Sequence, residues 1–289
     1  MIASQFLRRS FLALFLSLFA ATGYAQYRGA SQEYQPEVGQ SGKDVVWVPT
    51  PQALVNKMLD LGKVTAKDYV IDLGSGDGRT VITAAKRGAR AEGIEYNPDM
   101  VALSLRNAEK EGMAGKANFK KADLFETDFS QATVITMFLL PDINLKLRPK
   151  ILDLKPGTRI VSNSFTMGEW QHDRSVQATE KEGCQSYCTA YLWIVPAKVA
   201  GTWQVPGGEL TLKQSFQMIT GTLKQGGKDT AIKGQLSGDQ ISFKAGDAEY
   251  TGQVSGNAIK GTVKSGGGSG EWTAARSGKG AAVSAPSRS

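Results

Sequence analysis

The chain has 289 residues, of which 41% are hydrophobic and 21% charged, and this composition excludes an intrinsically disordered protein. Residues 198–289 hold 11 basic against 6 acidic side chains, while residues 26–197 hold 21 of each, so the net positive charge belongs to the leader and the C-terminal part. The C-terminal lysines are dispersed and lack the aromatic interleaving of a nucleic-acid track, so a nucleic-acid partner is not favoured.

Residues 1–25 read as a secretory signal peptide. Arg8 and Arg9 precede an apolar run, and Gly23 and Ala25 supply the small residues of a cleavage site. The arginine pair also resembles a twin-arginine export signal. The expected location is therefore periplasmic; the alternative is an inner-membrane anchor through an uncleaved leader. The run is short for a span of ~20 residues, so no stable transmembrane span is expected in the mature protein. Residues 26–44 are polar and aperiodic and read as a linker.

Residues 45–197 alternate strands and helices. Thr50 is expected to cap a helix that Gly62 ends. From residue 69 the reading gives strands over 69–73, 91–96, 117–122, 133–140 and 158–165. Helices are expected over 78–86, 98–111 and 143–154, the last bent or broken at Pro149. A final, antiparallel strand is expected over 187–195, with residues 176–179 as its partner. Such βα repetition predicts an α/β domain, a mostly parallel sheet with helices on both faces. Cys184 and Cys188 can pair only across a turn or bulge, because four strand residues span ~13 Å. Two cysteines without matching histidines make no metal site.

After Pro196 the texture changes to short alternating segments separated by glycine turns, and Gly221-Thr222-Leu223-Lys224 recurs as Gly261-Thr262-Val263-Lys264. Residues 198–276 therefore read as a small all-β antiparallel module of five to seven strands, a candidate for closure into a barrel. Trp203 and Trp272 are expected to pack together and close it. The module is a candidate dock for an envelope component or a cover for the acceptor site. Residues 277–289 form a small-residue tail, expected to be disordered.

The strongest signal is the run from Tyr69 to Arg79, a strand entering the turn Asp72-Leu73-Gly74-Ser75-Gly76-Asp77-Gly78 before a helix. A dinucleotide fingerprint would need its third glycine where Arg79 stands. A carboxylate at Asp72 would oppose a pyrophosphate and suits a cationic ligand such as S-adenosylmethionine. Glu95, 21 positions after Gly74, can accept from both ribose hydroxyls. Asp123 can accept from an adenine amino group, while the Leu124 N–H donates to the ring. Three acids at the ends of three consecutive strands meet where such sheets bind ligands.

The segment from Asp72 to Phe165 resembles class I S-adenosylmethionine-dependent methyltransferases. More narrowly it is similar to the small lysine methyltransferases of mitochondrial membrane proteins, and more distantly to non-SET histone-lysine enzymes. The resemblance rests on Val48-Pro49-Thr50-Pro51, the Asp72–Arg79 run, Glu95-Tyr96-Asn97-Pro98, Asp123-Leu124-Phe125 and the 159–165 segment. It implies S-adenosylmethionine as cofactor, with Asp72, Gly74, Ser75, Gly76 and Gly78 cradling the methionyl part. Glu95 would hold the ribose, with Asn97 a further cofactor-binding residue, Asp123 and Leu124 would lie by the adenine, and Trp47 and Thr50 over the methionyl end.

On the acceptor side, Phe138-Leu139-Leu140-Pro141 lacks the polar Asn of enzymes that methylate planar nitrogens. An apolar channel of Phe138, Leu139, Phe165 and Trp170 would suit an amine, since desolvation lowers an ammonium pKa. Phe138, Asn163 and His172 are the candidate catalytic groups, His172 as a general base. The function expected is methyl transfer to a protein lysine. A small-molecule or lipid methyltransferase, and a non-catalytic exported binding protein on this fold, are the alternatives.

Overall fold

A computed structural model describes residues 33–277. The expected signal peptide lies outside the described residues, as do residues 26–32 of the linker and residues 278–289 of the tail. Within the described part, seven strands form one sheet: β1 (Tyr69–Leu73), β2 (Arg90–Glu95), β3 (Ala117–Lys121), β4 (Val134–Met137), β5 (Arg159–Asn163), β6 (Arg174–Gln177) and β7 (Thr189–Ile194). Their order is β3-β2-β1-β4-β5-β7-β6. The five strands β1–β5 run parallel, and β7 lies antiparallel between β5 and β6. Four helices accompany them: α1 (Gln52–Leu61), α2 (Arg79–Lys86), α3 (Pro98–Lys110) and α4 (Pro141–Leu152).

Strand alternation divides the core between the two faces. Ile71, Ile135 and Ile160 pack with Ile143, Leu147 and Ile151 of α4. Val70, Ala91 and Val134 pack on the other face with residues of α1, α2 and α3. Both faces are therefore covered, as a sheet built of near-continuous apolar strands requires.

Several local expectations are corrected. Thr50 does not cap α1: Pro51 holds that position without a side-chain bond, and the Thr50 hydroxyl instead accepts from Asn163 Nδ2. Pro149 lies within α4 without ending it. It stands in the last turn, where the missing N–H forfeits a single helical bond. The strand expected from residue 187 starts at Thr189, because Tyr187 adopts a left-handed φ of 54° that no strand accommodates. The turn there lets Cys184 and Cys188 form a disulfide with a Cα separation of 5.8 Å.

The C-terminal module has eight strands, more than the five to seven expected. They are β8 (Gly201–Val205), β9 (Gly208–Ser215), β10 (Met218–Gln225), β11 (Lys228–Ser237), β12 (Gln240–Ala245), β13 (Ala248–Ser255), β14 (Ala258–Ser265) and β15 (Gly268–Ser277). Each pairs antiparallel with its chain neighbours, and β15 returns to β8 to close an up-and-down barrel. Closure leaves no free edge. Trp203 and Trp272 belong to one barrel core, with different ring partners. Arg276 covers the Trp203 ring, while Trp272 stands edge-on to Phe243 and Tyr250. From Glu37 onward, sheet and barrel belong to one compact unit.

Candidate functional site

The site lies at the carboxyl ends of the parallel strands β1 to β5. At the end of β1 the chain turns through Gly74 (φ 76°) and Gly76 (φ 54°). The Gly74 and Ser75 amides both donate to the Ile94 carbonyl, fastening the turn to β2. A side chain at Gly76 would place its Cβ 2.8 Å from Trp47 Nε1, so the indole sits directly against the bare backbone. Gly78 serves packing: a Cβ there would meet Phe119 at 2.7 Å. Arg79 grips Asp77 through Nε and donates to the Thr50 carbonyl at 2.9 Å. It thereby ties the glycine turn to the segment that carries Trp47.

Glu95 is oriented by two backbone amides, Gly76 to Oε2 and Asn97 to Oε1, both at 2.9 Å. Each carboxylate oxygen keeps further acceptor capacity. The Asn97 side chain caps α3 by accepting from the Asp99 amide. Asp123 accepts from the Phe125 amide and from Lys43, whose ammonium also lies over the Tyr96 ring. The Lys43 hydrogen bond, followed by that of the Phe125 amide, holds the Asp123 carboxyl below the usual carboxylate range. Of the linker expected over 26–44, the part around Gly39 and Gln40 is laddered to Trp47, and Lys43 reaches the cavity.

Asp72 is buried, and the Thr136 hydroxyl donates to it at 2.6 Å. Burial above all, with Asp77 and Glu95 nearby, pushes its pKa from 3.8 up to about 7. Such a carboxyl gains from a cation at the cavity, which favours its charged form.

One cavity collects ten of the cofactor residues expected from sequence: Trp47, Thr50, Asp72, Gly74, Ser75, Gly76, Glu95, Asn97, Asp123 and Leu124. Gly78 is not among its lining residues. Phe138, Leu139 and Phe165 line the same cavity. Asn163 is fully buried and acts from behind, holding the Thr50 hydroxyl. His172 is exposed, packs against Tyr191 at 4.8 Å between ring centroids, and is not among the lining residues. Trp170 is core, stacked on Phe216 of the barrel, and does not line the channel as expected. Sequence reasoning missed Lys43 and Tyr187, both of which line the cavity. Lys43 sits in a polar stretch with no pattern, and Tyr187 in a turn that reads as the start of a strand.

The donor set fits S-adenosylmethionine. The Ser75 hydroxyl is buried at the cavity without a protein partner among the described residues, and the glycine turn leaves room for a ligand against its backbone. Three acids, Asp72, Glu95 and Asp123, line the same cavity. Fold and site together define a class I S-adenosylmethionine-dependent methyltransferase.

Residues 72–174 match the ANTKMT methyltransferase domain. A protein-lysine N-methyltransferase of Saccharolobus islandicus is 43% identical over 154 residues, which cover 52% of this chain and 94% of that protein. The adenine nucleotide translocase lysine N-methyltransferase of Mus musculus is 35% identical over 104 residues, 35% of this chain and 45% of that one. A Salinibacter ruber structure described as an RNA methyltransferase with S-adenosyl-L-homocysteine is 46% identical, covers 53% of this chain and 96% of its own, and has a TM-score of 0.49. The chain belongs to the family of small S-adenosylmethionine-dependent methyltransferases that the ANTKMT domain and the Saccharolobus enzyme represent. It spans only about half the length of the mammalian lysine methyltransferases it matches.

Proposed function

We propose that this protein is an exported enzyme that methylates a lysine amine of another protein. The observation that carries the reading is the character of the cavity's acceptor end. Phe138, Leu139, Leu140, Phe165 and Tyr187 line it together with the cofactor acids. An amine is nucleophilic only when neutral, and an apolar wall lowers its pKa by excluding water. When bound, S-adenosylmethionine supplies a sulfonium methyl group open to in-line displacement by such a nucleophile. The chain's own residues do the holding. Asp72 receives the cationic amino end, Glu95 the ribose hydroxyls and Asp123 the adenine amine, while Trp47 covers the glycine turn.

The names of the Saccharolobus and mouse relatives support lysine as acceptor. The apolar residues after β4 support it too, since they offer no side-chain hydrogen bond to a planar amide or base. Export is supported by the Cys184–Cys188 disulfide, a bond that persists in oxidising compartments.

Labelled methyl transfer from S-adenosylmethionine into fractions of a strain lacking the gene tests the reading. Label is expected in an envelope protein, on lysine, and absent with Glu95→Ala. Label confined to the RNA or the organic-soluble fraction would replace lysine with those acceptors. No label anywhere, with cofactor binding intact, would favour a non-catalytic binding protein.

A further inference from the structure

Three aromatic rings from distant parts of the chain meet at the acceptor end of the cavity. Phe138 follows β4, Phe165 follows β5, and Tyr187 stands between the two cysteines. The Phe138 and Phe165 centroids are 5.9 Å apart and nearly parallel, at 21°. Tyr187 closes the triangle, 5.2 Å from Phe138 and 6.0 Å from Phe165. Phe138 and Phe165 are partly buried, whereas Tyr187 is 45% exposed. All three line the cavity that holds Asp72 and Glu95.

Two of these rings are displayed by backbone that ordinary residues avoid. Tyr187 itself has φ 54°, and Ser164, next to Phe165, has φ 59°. Non-glycine residues persist there only where surrounding structure overdetermines them. For Ser164 the fixing bonds are visible: its amide donates to the Thr189 carbonyl and its hydroxyl to Asn163 Oδ1. For Tyr187 the fixing element is the disulfide. Cys184 is buried in the core beside Leu54, Met58 and Ala190, and its amide donates to Thr179. Cys188 is held at its carbonyl by the Ala178 amide. The bridge closes the loop between these anchors, with Gln185, Ser186 and Tyr187 exposed on it.

We propose that Phe138, Phe165 and Tyr187 form the aromatic port through which the acceptor amine enters. The Cys184–Cys188 bridge sets Tyr187 in place, so acceptor affinity depends on the bridge being closed. The port rests on the lysine reading above and deepens it. Tyr187 meets the incoming side chain first, and the two phenylalanines strip its water as it advances toward the methyl donor. Aromatic faces suit both stages, attracting the ammonium and then sheltering the neutral amine. The enzyme thereby holds its acceptor more tightly with the bridge closed than with it reduced to two thiols, while its cofactor site is complete in either state.

The test uses the full chain, oxidised or treated with dithiothreitol, with labelled S-adenosylmethionine and serial dilutions of an envelope-protein fraction from the deletion strain. Tyr187→Ala is expected to raise the apparent acceptor KM about tenfold, a change larger than that in kcat. Tyr187→Phe should restore the wild-type KM. Reductant should raise the wild-type KM several-fold and leave a Cys184→Ala/Cys188→Ala protein, already impaired, unchanged. Calorimetry of S-adenosylmethionine binding should give near-equal affinities throughout, which separates the port from a misfolded site. A wild type that labels protein while Tyr187→Ala keeps its KM, or while reductant changes nothing, overturns the port alone. A wild type that binds cofactor and labels no protein overturns the lysine reading and the port with it.

Discussion

At Asp72, the proposed contact with the cofactor and stability pull in opposite directions. Its carboxyl is buried and its pKa is raised to about 7, by burial first and then by Asp77 and Glu95. A raised folded-state value makes the sign definite. The stability this group contributes is whole below its ordinary value of 3.8 and is lost as pH rises through about 7. Binding of a cationic ligand has the opposite sign, because it needs the carboxylate. Affinity for S-adenosylmethionine should therefore fall below pH about 7, approaching tenfold per unit. Asp72→Asn keeps an acceptor for the Thr136 hydroxyl and removes the charge. It should weaken cofactor binding by about 1.5–3 kcal/mol in calorimetry. In the ligand-free protein at pH 8 it should raise unfolding stability by roughly 1–3 kcal/mol. A variant that loses stability as well as affinity would show that Asp72 is needed for the fold. The acids of this site are legible in the sequence because parallel strands deliver their carboxyl ends to one edge. Asp72 stands one residue from the end of β1, Glu95 ends β2, and Asp123 comes two residues after β3. Tyr187 is not legible, since its role depends on a turn that the apolar run after it hides, and on two rings far away in the chain.

At the scale of elements, what a reader of the sequence can find tracks how much each strand buries. β1, β4 and β5 are buried almost throughout, and their apolar runs announce them. In the barrel, β13 and β15 bury only alternate or occasional residues, and β15 opens on Gly-Ser-Gly, which reads as a turn. With β8, those are the strands the pattern misses, and closure supplies them: a barrel cannot end on an open edge. The repeated Gly-Thr-apolar-Lys motif acquires a physical meaning there. At Gly221 an added Cβ would lie 1.8 Å from the Thr211 carbonyl oxygen, and at Gly261 1.9 Å from that of Thr251. Both glycines let a neighbouring strand's backbone pass through the space a side chain would fill. Gly261→Ala should accordingly destabilise the barrel by about 2 kcal/mol or more, a penalty of strain rather than of propensity. Denaturant unfolding followed by the fluorescence of Trp203 and Trp272 would measure it. A cost of a few tenths would mean the strands separate easily and the close approach is not required.

For the molecule as a whole, sheet and barrel meet at several points, and one of them is the hairpin turn that carries Phe216. Phe216 lies between β9 and β10 with φ 51°, a conformation usually left to glycine or asparagine. Its side chain leaves the barrel and enters the core of the sheet domain, where it stacks on Trp170 at 5.9 Å and 8°. Arg148 of α4 lies over the same ring, and Gln217 donates to the Gln171 carbonyl beside it. The turn's strain is thus exchanged for burial in a neighbour's core. Trp170 belongs to the loop after Phe165, and Arg148 donates to Met167 in that loop, so the barrel braces the segment bearing one wall of the acceptor port. Phe216→Ala removes the packing, worth about 3–5 kcal/mol for a buried aromatic, and keeps the strained backbone. Phe216→Gly removes both. An ordinary exposed turn would leave the two variants equal or favour alanine. Here glycine should be the more stable by about 1 kcal/mol, the cost of a left-handed conformation in a residue with a Cβ. Both should be well below wild type, and unfolding, expected as one transition in the native protein, should divide in two in calorimetric scans. Two variants unfolding together at the wild-type temperature would show that Phe216 contributes little, and that the other contacts between barrel and sheet carry the junction.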